Sequence, residues 1–147
     1  MEYQKEEADM TQAQNLSFDL HLDETHGDAV EKVTNALKAE GFGVLTSVDV
    51  RKAFQEKLEK EFRPYTILGA CNPSLAYKAL SHMGEVGLML PCNVTVEADP
   101  AGGSIVRIID PEAMMKGAGM DSDPVLTEVG SEARIRLEKV AGALEAS

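Results

Sequence analysis

Hydrophobic positions change their spacing several times along this chain, and each change marks an element. Leu16, Phe18, Leu20 and Leu22 alternate with Ser17, Asp19, His21 and Asp23. That period of two predicts a strand with one buried and one wet face, with His21 on the wet side. The spacing then lengthens to that of a helix. Ala29, Val30, Val33 and Leu37 form one stripe, Thr25 or Asp28 can cap it, and Gly41 follows where a helix end favours a left-handed residue. Phe42 to Val48 reads as a second strand, apolar on both faces at its start and so expected at the centre of a sheet. Asp49 caps a second helix, along which Phe54, Leu58 and Phe62 recur every four residues before Arg63-Pro64 ends it.

Tyr65 to Ala70 is the third strand. Asn72 caps a third helix with Pro73 in its first turn, and Leu75, Ala76, Ala79 and Leu80 form its inner face. Val86 to Leu90 and Asn93 to Glu97 read as one long strand or two short ones, broken at Pro91, which cannot donate to a ladder. The turn Asp99 to Gly103 makes the next strand, Ser104 to Ile109, the partner in an antiparallel hairpin. On that strand Ile105, Arg107 and Ile109 share one face, and Val106 and Ile108 the other. Asp110-Pro111 starts a short helical turn. Ser122 or Asp123 then caps a last helix, opened by Pro124 and striped by Leu126, Val129, Ala133, Leu137, Val140 and Leu144. Strands alternating with helices, followed by a hairpin, predict an α/β two-layer sandwich. One mixed sheet of five to six strands would carry helices mainly on one face, and a doubly wound sheet is the alternative.

Composition narrows this picture. The 147 residues suit one domain, and the core must be aliphatic, because only 5% of residues are aromatic and none is Trp. Met1 to Asn15 is polar and acidic, and it reads as a disordered tail before a single domain at residues 16–147. It lacks the apolar run of a signal peptide, so a cytoplasmic protein is expected. The net charge of −11 repels nucleic-acid phosphates and anionic membranes alike, which leaves neither as an expected partner.

The candidate chemistry lies in two Cys-Asn pairs. Cys71 ends the third strand immediately before the Asn72 cap, and Cys92 follows Pro91 inside an apolar run, in phase with Leu88, Leu90, Val94 and Val96. A helix N-terminus favours an anion, so Cys71 is expected to lean toward the thiolate, the nucleophilic and metal-binding form. Each thiol can equally be a small buried hydrophobe. The pair lacks the CxxC spacing of a zinc site, so a metal on Cys71 and Cys92, with His82 or a methionine completing the set, is only weakly signalled. His82 also reads as a helix C-terminal cap, and the methionines, Met114 and Met115 among them, read as gap fillers. No phosphate loop, HExxH or GxSxG motif is present, and no cofactor is indicated.

The segments Glu40 to Thr46, Gly69-Ala70-Cys71-Asn72-Pro73, Leu90-Pro91-Cys92-Asn93-Val94 and Asp110-Pro111 resemble the DUF 302 family of uncharacterised bacterial and archaeal proteins. The likeness runs from about Leu16 to Leu144. It implies a small α/β sandwich, a homodimer, and family motif positions at Cys71, Asn72, Cys92 and Asn93. The outer sheet face expected to carry Val106 and Ile108 also suggests a dimer. Three readings of function follow. The first is a carrier or binding module for a small ligand, sulfur species or soft metal at Cys71, Asn72, Cys92 and Asn93. The second is a thiol-dependent redox or transfer enzyme with Cys71 as nucleophile. The third is a purely structural homodimer.

Overall fold

The computed structural model describes residues 16–147, so the tail expected before residue 16 lies outside the described residues. The alternating segment forms strand β1 (Ser17–Leu22), and helix α1 (His26–Ala39) follows it. Next come β2 (Gly43–Asp49), α2 (Val50–Leu58), β3 (Tyr65–Cys71) and α3 (Pro73–His82). A 3-10 segment (Gly84–Met89) leads into the hairpin of β4 (Cys92–Ala98) and β5 (Ser104–Ile109). Helices α4 (Pro111–Gly117) and α5 (Pro124–Ala146) complete the chain. Three caps act as the sequence predicts: Asp49 accepts from the Lys52 N–H, Asn72 from that of Leu75, and Asp123 from those of Val125 and Leu126. Gly41 adopts φ +84°, the left-handed conformation that ends α1.

The two-layer sandwich stands, with one correction to its sheet. The five strands run in the order β1-β5-β4-β3-β2, and every neighbouring pair is antiparallel, so the sheet is not mixed. Helix α1 does cross over between strands, but it joins β1 and β2 at opposite edges, with three strands between them. Helices α2 and α3 lie within connections between antiparallel neighbours, where alternation alone suggested parallel crossovers. The stripes of α1 and α5 pack on one sheet face. Ala29, Val33, Leu37, Leu137 and Val140 there meet Leu20, Leu68, Val94, Val96, Val106 and Ile108 in one buried core.

Three further expectations change. Val106 and Ile108 are fully buried beneath the helices, so the open face carries Ile105, Arg107 and Ile109 instead. Strand β2 is an edge and not a centre: its apolar start misled, because Phe42 is buried just before the strand while Leu45 and Val48 remain exposed. Residues 84–89 coil into the 3-10 segment with Leu88 exposed, so the phase shared with Cys92 holds only for Val94 and Val96.

Candidate functional site

Antiparallel pairing of β3 with β4 is what assembles the site. The end of β3 and the start of β4 lie at the same end of the sheet, and Ala70 faces Cys92 across the ladder. Cys71, one residue beyond Ala70, faces Gly43 at the start of β2. The end of β5 also arrives here, and Asp110 turns it into α4 by accepting from the N–H groups of Glu112 (3.0 Å) and Ala113 (3.5 Å). Arg134 of α5 donates to the other Asp110 oxygen at 3.1 Å, which ties α4 to the long helix.

Between these elements lies a cavity of about 40 Å³. That is room for roughly two or three water-sized groups, far below the 300 Å³ or more of a typical drug-sized site. Cys71 and Cys92 both line it, with Asn72 beside them. Phe42, Leu75, Ala79, Val86, Leu90 and Val129 supply apolar wall, and Met114 and Met115 face the same space from α4. Among the described residues, no carboxylate, imidazole or amine lines the cavity. The Asn72 oxygen is committed to the Leu75 N–H at 3.2 Å.

Both cysteines are free thiols, Cys92 buried and Cys71 partly exposed. Burial pushes the Cys71 thiol above its ordinary value, so the thiolate expected from the helix N-terminus is not favoured. The Cys92 thiol is pushed up to about 11, first by burial and second by the charge of a neighbouring Cys71 thiolate.

The remaining sequence candidates lie elsewhere. Asn93 is exposed and lines a shallow surface depression with Pro91, Ile109 and Met114. His82 caps nothing near the thiols. Its ring pairs with Asp123 at 2.9 Å, linking the end of α3 to the start of α5, and it is absent from the cavity wall. His21 contacts the Gly102 carbonyl at 2.8 Å in the β4–β5 hairpin turn, also away from the thiols. Among the described residues no group of three or more His, Cys, Asp or Glu is placed to hold a metal. Sequence reasoning missed Phe42, Met114, Met115 and Val129 as cavity residues. Their apolar spacing was visible, but it does not say which end of the sheet they reach.

No helix among the described residues is long and apolar enough to cross a membrane. A search of curated proteins finds no match. Among solved structures, the chain is similar to an uncharacterized conserved DUF302 protein from Bacillus stearothermophilus, with 28% identity and a TM-score of 0.74. That similarity covers 88% of this chain and 96% of the other. The sequence profile of DUF302, a domain of unknown function, matches residues 18–144, which include both Cys-Asn pairs and the Asp110-Pro111 turn, and the chain therefore belongs to the DUF302 family.

Proposed function

We propose that the protein binds a small thiophilic species, a soft metal ion or a sulfur species, at Cys71 and Cys92 and carries it shielded from water. The observation that supports this reading is two free cysteines lining one small, otherwise apolar cavity. Such a site suits a ligand that is soft and compact and needs no hydrogen-bond partners. An enzyme using Cys71 as nucleophile is the second reading. It finds less support, because no general base among the described residues lines the cavity and burial disfavours the thiolate. Free thiols fit a reducing compartment such as the cytoplasm. The test is native thiol labelling with a compact reagent, methyl methanethiosulfonate, and a bulky aromatic disulfide. The compact reagent should modify Cys71 first and Cys92 more slowly, while the bulky one leaves Cys92 untouched. Equal labelling of both cysteines, released only on unfolding, would leave two structural thiols.

The homodimer rests on a different observation. The β2 edge exposes Leu45 (69%) and Val48 (47%), and adjoining α2 exposes Leu58 (58%). Gly43 to Val48 carries no charge, whereas the opposite edge, β1, carries Asp19 and His21. Residues 43–63 hold five basic side chains against four acidic ones, on a chain whose net charge is −11. A second copy meets the least repulsion at this surface, and β2 pairing with its own copy satisfies the free edge backbone. Sedimentation equilibrium should show twice 15.9 kDa for the native chain and a monomer for Val48→Lys. A native monomer at micromolar concentration contradicts the dimer, and a Val48→Lys dimer contradicts this interface.

A further inference from the structure

We infer that Gly41, Asn72 and Arg136 form a binding site for the carboxylate group of a small molecule, and that this site works independently of the thiols. The Asn72 oxygen accepts from the Leu75 N–H at 3.2 Å, which fixes the way the amide faces. Its nitrogen, Nδ2, therefore points toward Gly41, and lies 3.0 Å from the position a β-carbon would take there. Arg136 reaches the same point from α5, with Nη1 at 3.3 Å. Apart from the chain neighbours of Gly41, these nitrogens are the only heavy atoms among the described residues within 4 Å of that point.

Both nitrogens are donors, and neither has an acceptor. Asn72 is buried, with 8% of its surface exposed, and among the described residues the cap is the one hydrogen bond its side chain makes. The N–H bonds of Nδ2 are left unmatched, which buried amides rarely tolerate. Arg136 uses Nε on Glu132 at 2.8 Å, and among the described residues Nη1 meets no acceptor. Each donor stands about one hydrogen-bond length from a shared point, so a single acceptor group can bridge them. Two donors on one open space, one of them cationic, favour a negatively charged acceptor. The space is open because residue 41 has no side chain, and its φ of +84° disfavours any residue that would fill it.

Donor type and local charge then choose the group. A carboxylate has two oxygens and can accept from an amide and a guanidinium at once, whereas a halide presents one centre. The start of α3 adds partial positive charge, because Asn72 is its N-cap. Against that stand Glu132, which shares Arg136, and Glu40, the chain neighbour of Gly41. They penalise a second negative charge on the ligand, which favours a monocarboxylate over sulfate or phosphate. The Arg136 side chain is 40% exposed, so the ligand enters from solvent, and the recessed Asn72 donor suits a slim head group.

The test is a titration of the isotope-labelled full chain with sodium acetate in low-salt buffer, followed by NMR at the Asn72 side-chain amide. Sodium chloride and sodium sulfate at equal ionic strength are the comparators. Acetate should move that resonance to saturation, and chloride and sulfate should bind more weakly. Arg136→Gln should weaken acetate by roughly tenfold or more, as expected for losing a hydrogen bond to a charged group. Asn72→Asp keeps the cap oxygen for Leu75 but replaces the donor with an acceptor, so acetate should no longer shift the backbone amides of residues 40–43. Glu132→Gln frees the Nε edge of Arg136 and should tighten acetate by roughly two- to fivefold, the scale of a surface ion pair. A merely structural Arg136 would give no such gain. The absence of a saturable shift in the native chain, chloride or sulfate binding as tightly as acetate, or an unchanged affinity in Arg136→Gln or Glu132→Gln overturns the inference. The native chain is read first, so a variant that fails to fold does not protect the idea.

Discussion

Asn72→Ala removes the side chain on which the junction between β3, α3 and the cavity depends. The Asn72 oxygen satisfies the Leu75 N–H, and the residue is buried, with 8% of its surface exposed. Loss of an N-cap typically costs about 1 kcal/mol, within a range of roughly 0.5–2. Here water cannot readily replace the missing acceptor, so the expected cost lies in the upper half, about 1.5 kcal/mol. For a domain of this size that corresponds to a fall in Tm of about 5 °C. Urea denaturation should show a lower midpoint with an unchanged slope, because the surface exposed on unfolding hardly changes. Asn72→Asp keeps the acceptor and places a negative charge at a helix N-terminus, so it should recover most of the loss. The same charge should raise the Cys71 thiol further and slow its labelling at neutral pH. An Asn72→Ala midpoint equal to the native one would refute the reasoning, since α3 would then not depend on this cap.

Three other predictions follow from the same physics. Glu97 is buried on the open sheet face, where its carboxylate accepts from Arg63 at 2.6 Å and from Arg107. Burial disfavours the charge, but the two arginines outweigh it and hold the group below its ordinary 4.5. The pair's stabilisation is therefore complete above about pH 4.5 and lost as pH falls through the lower folded value. Glu97→Gln should flatten the difference in urea stability between about pH 5 and pH 3, and a slope matching the native protein would contradict this. Gly69→Ala should destabilise by about 2 kcal/mol or more, because the new methyl would lie 2.6 Å from the Pro91 ring and against the Thr46 hydroxyl. A native-like Tm for that variant would mean the ladder shifts freely there. His82→Ala should cost less than about 1 kcal/mol and leave the labelling of both cysteines unchanged, since its partner is Asp123 and both are partly exposed. Altered cysteine labelling would place His82 at the site after all.

Much of the fold was legible because local periodicity reports local structure. The stripes of α1 and α5, the alternation of β1, the β4–β5 hairpin and three helix caps all came from spacing and cap chemistry. The other strand partners did not, because pairing depends on which edge a crossover reaches. Phe42 and Val44 look like the start of a central strand, yet β2 lies at the edge. Ile105 and Val106 look alike in sequence, and only the packed helices decide which face of β5 is covered. The cysteines were legible as a pair of motifs, but not as neighbours. Their proximity comes from antiparallel pairing of β3 with β4, which a parallel crossover would have denied them. Burial also raises the Cys71 thiol, against the lean toward thiolate expected at a helix N-terminus.

The central claim is that Cys71 and Cys92 share one cavity, and its most direct test is kinetic coupling of their modification. Native protein would be labelled with methyl methanethiosulfonate, and the rate at each cysteine followed by mass spectrometry beside a Cys71→Ala variant. The account predicts that Cys71 reacts first, and that its added methylthio group fills the space and slows Cys92 relative to the variant. A Cys92 rate that is the same whether residue 71 is blocked or replaced by alanine would contradict a shared cavity.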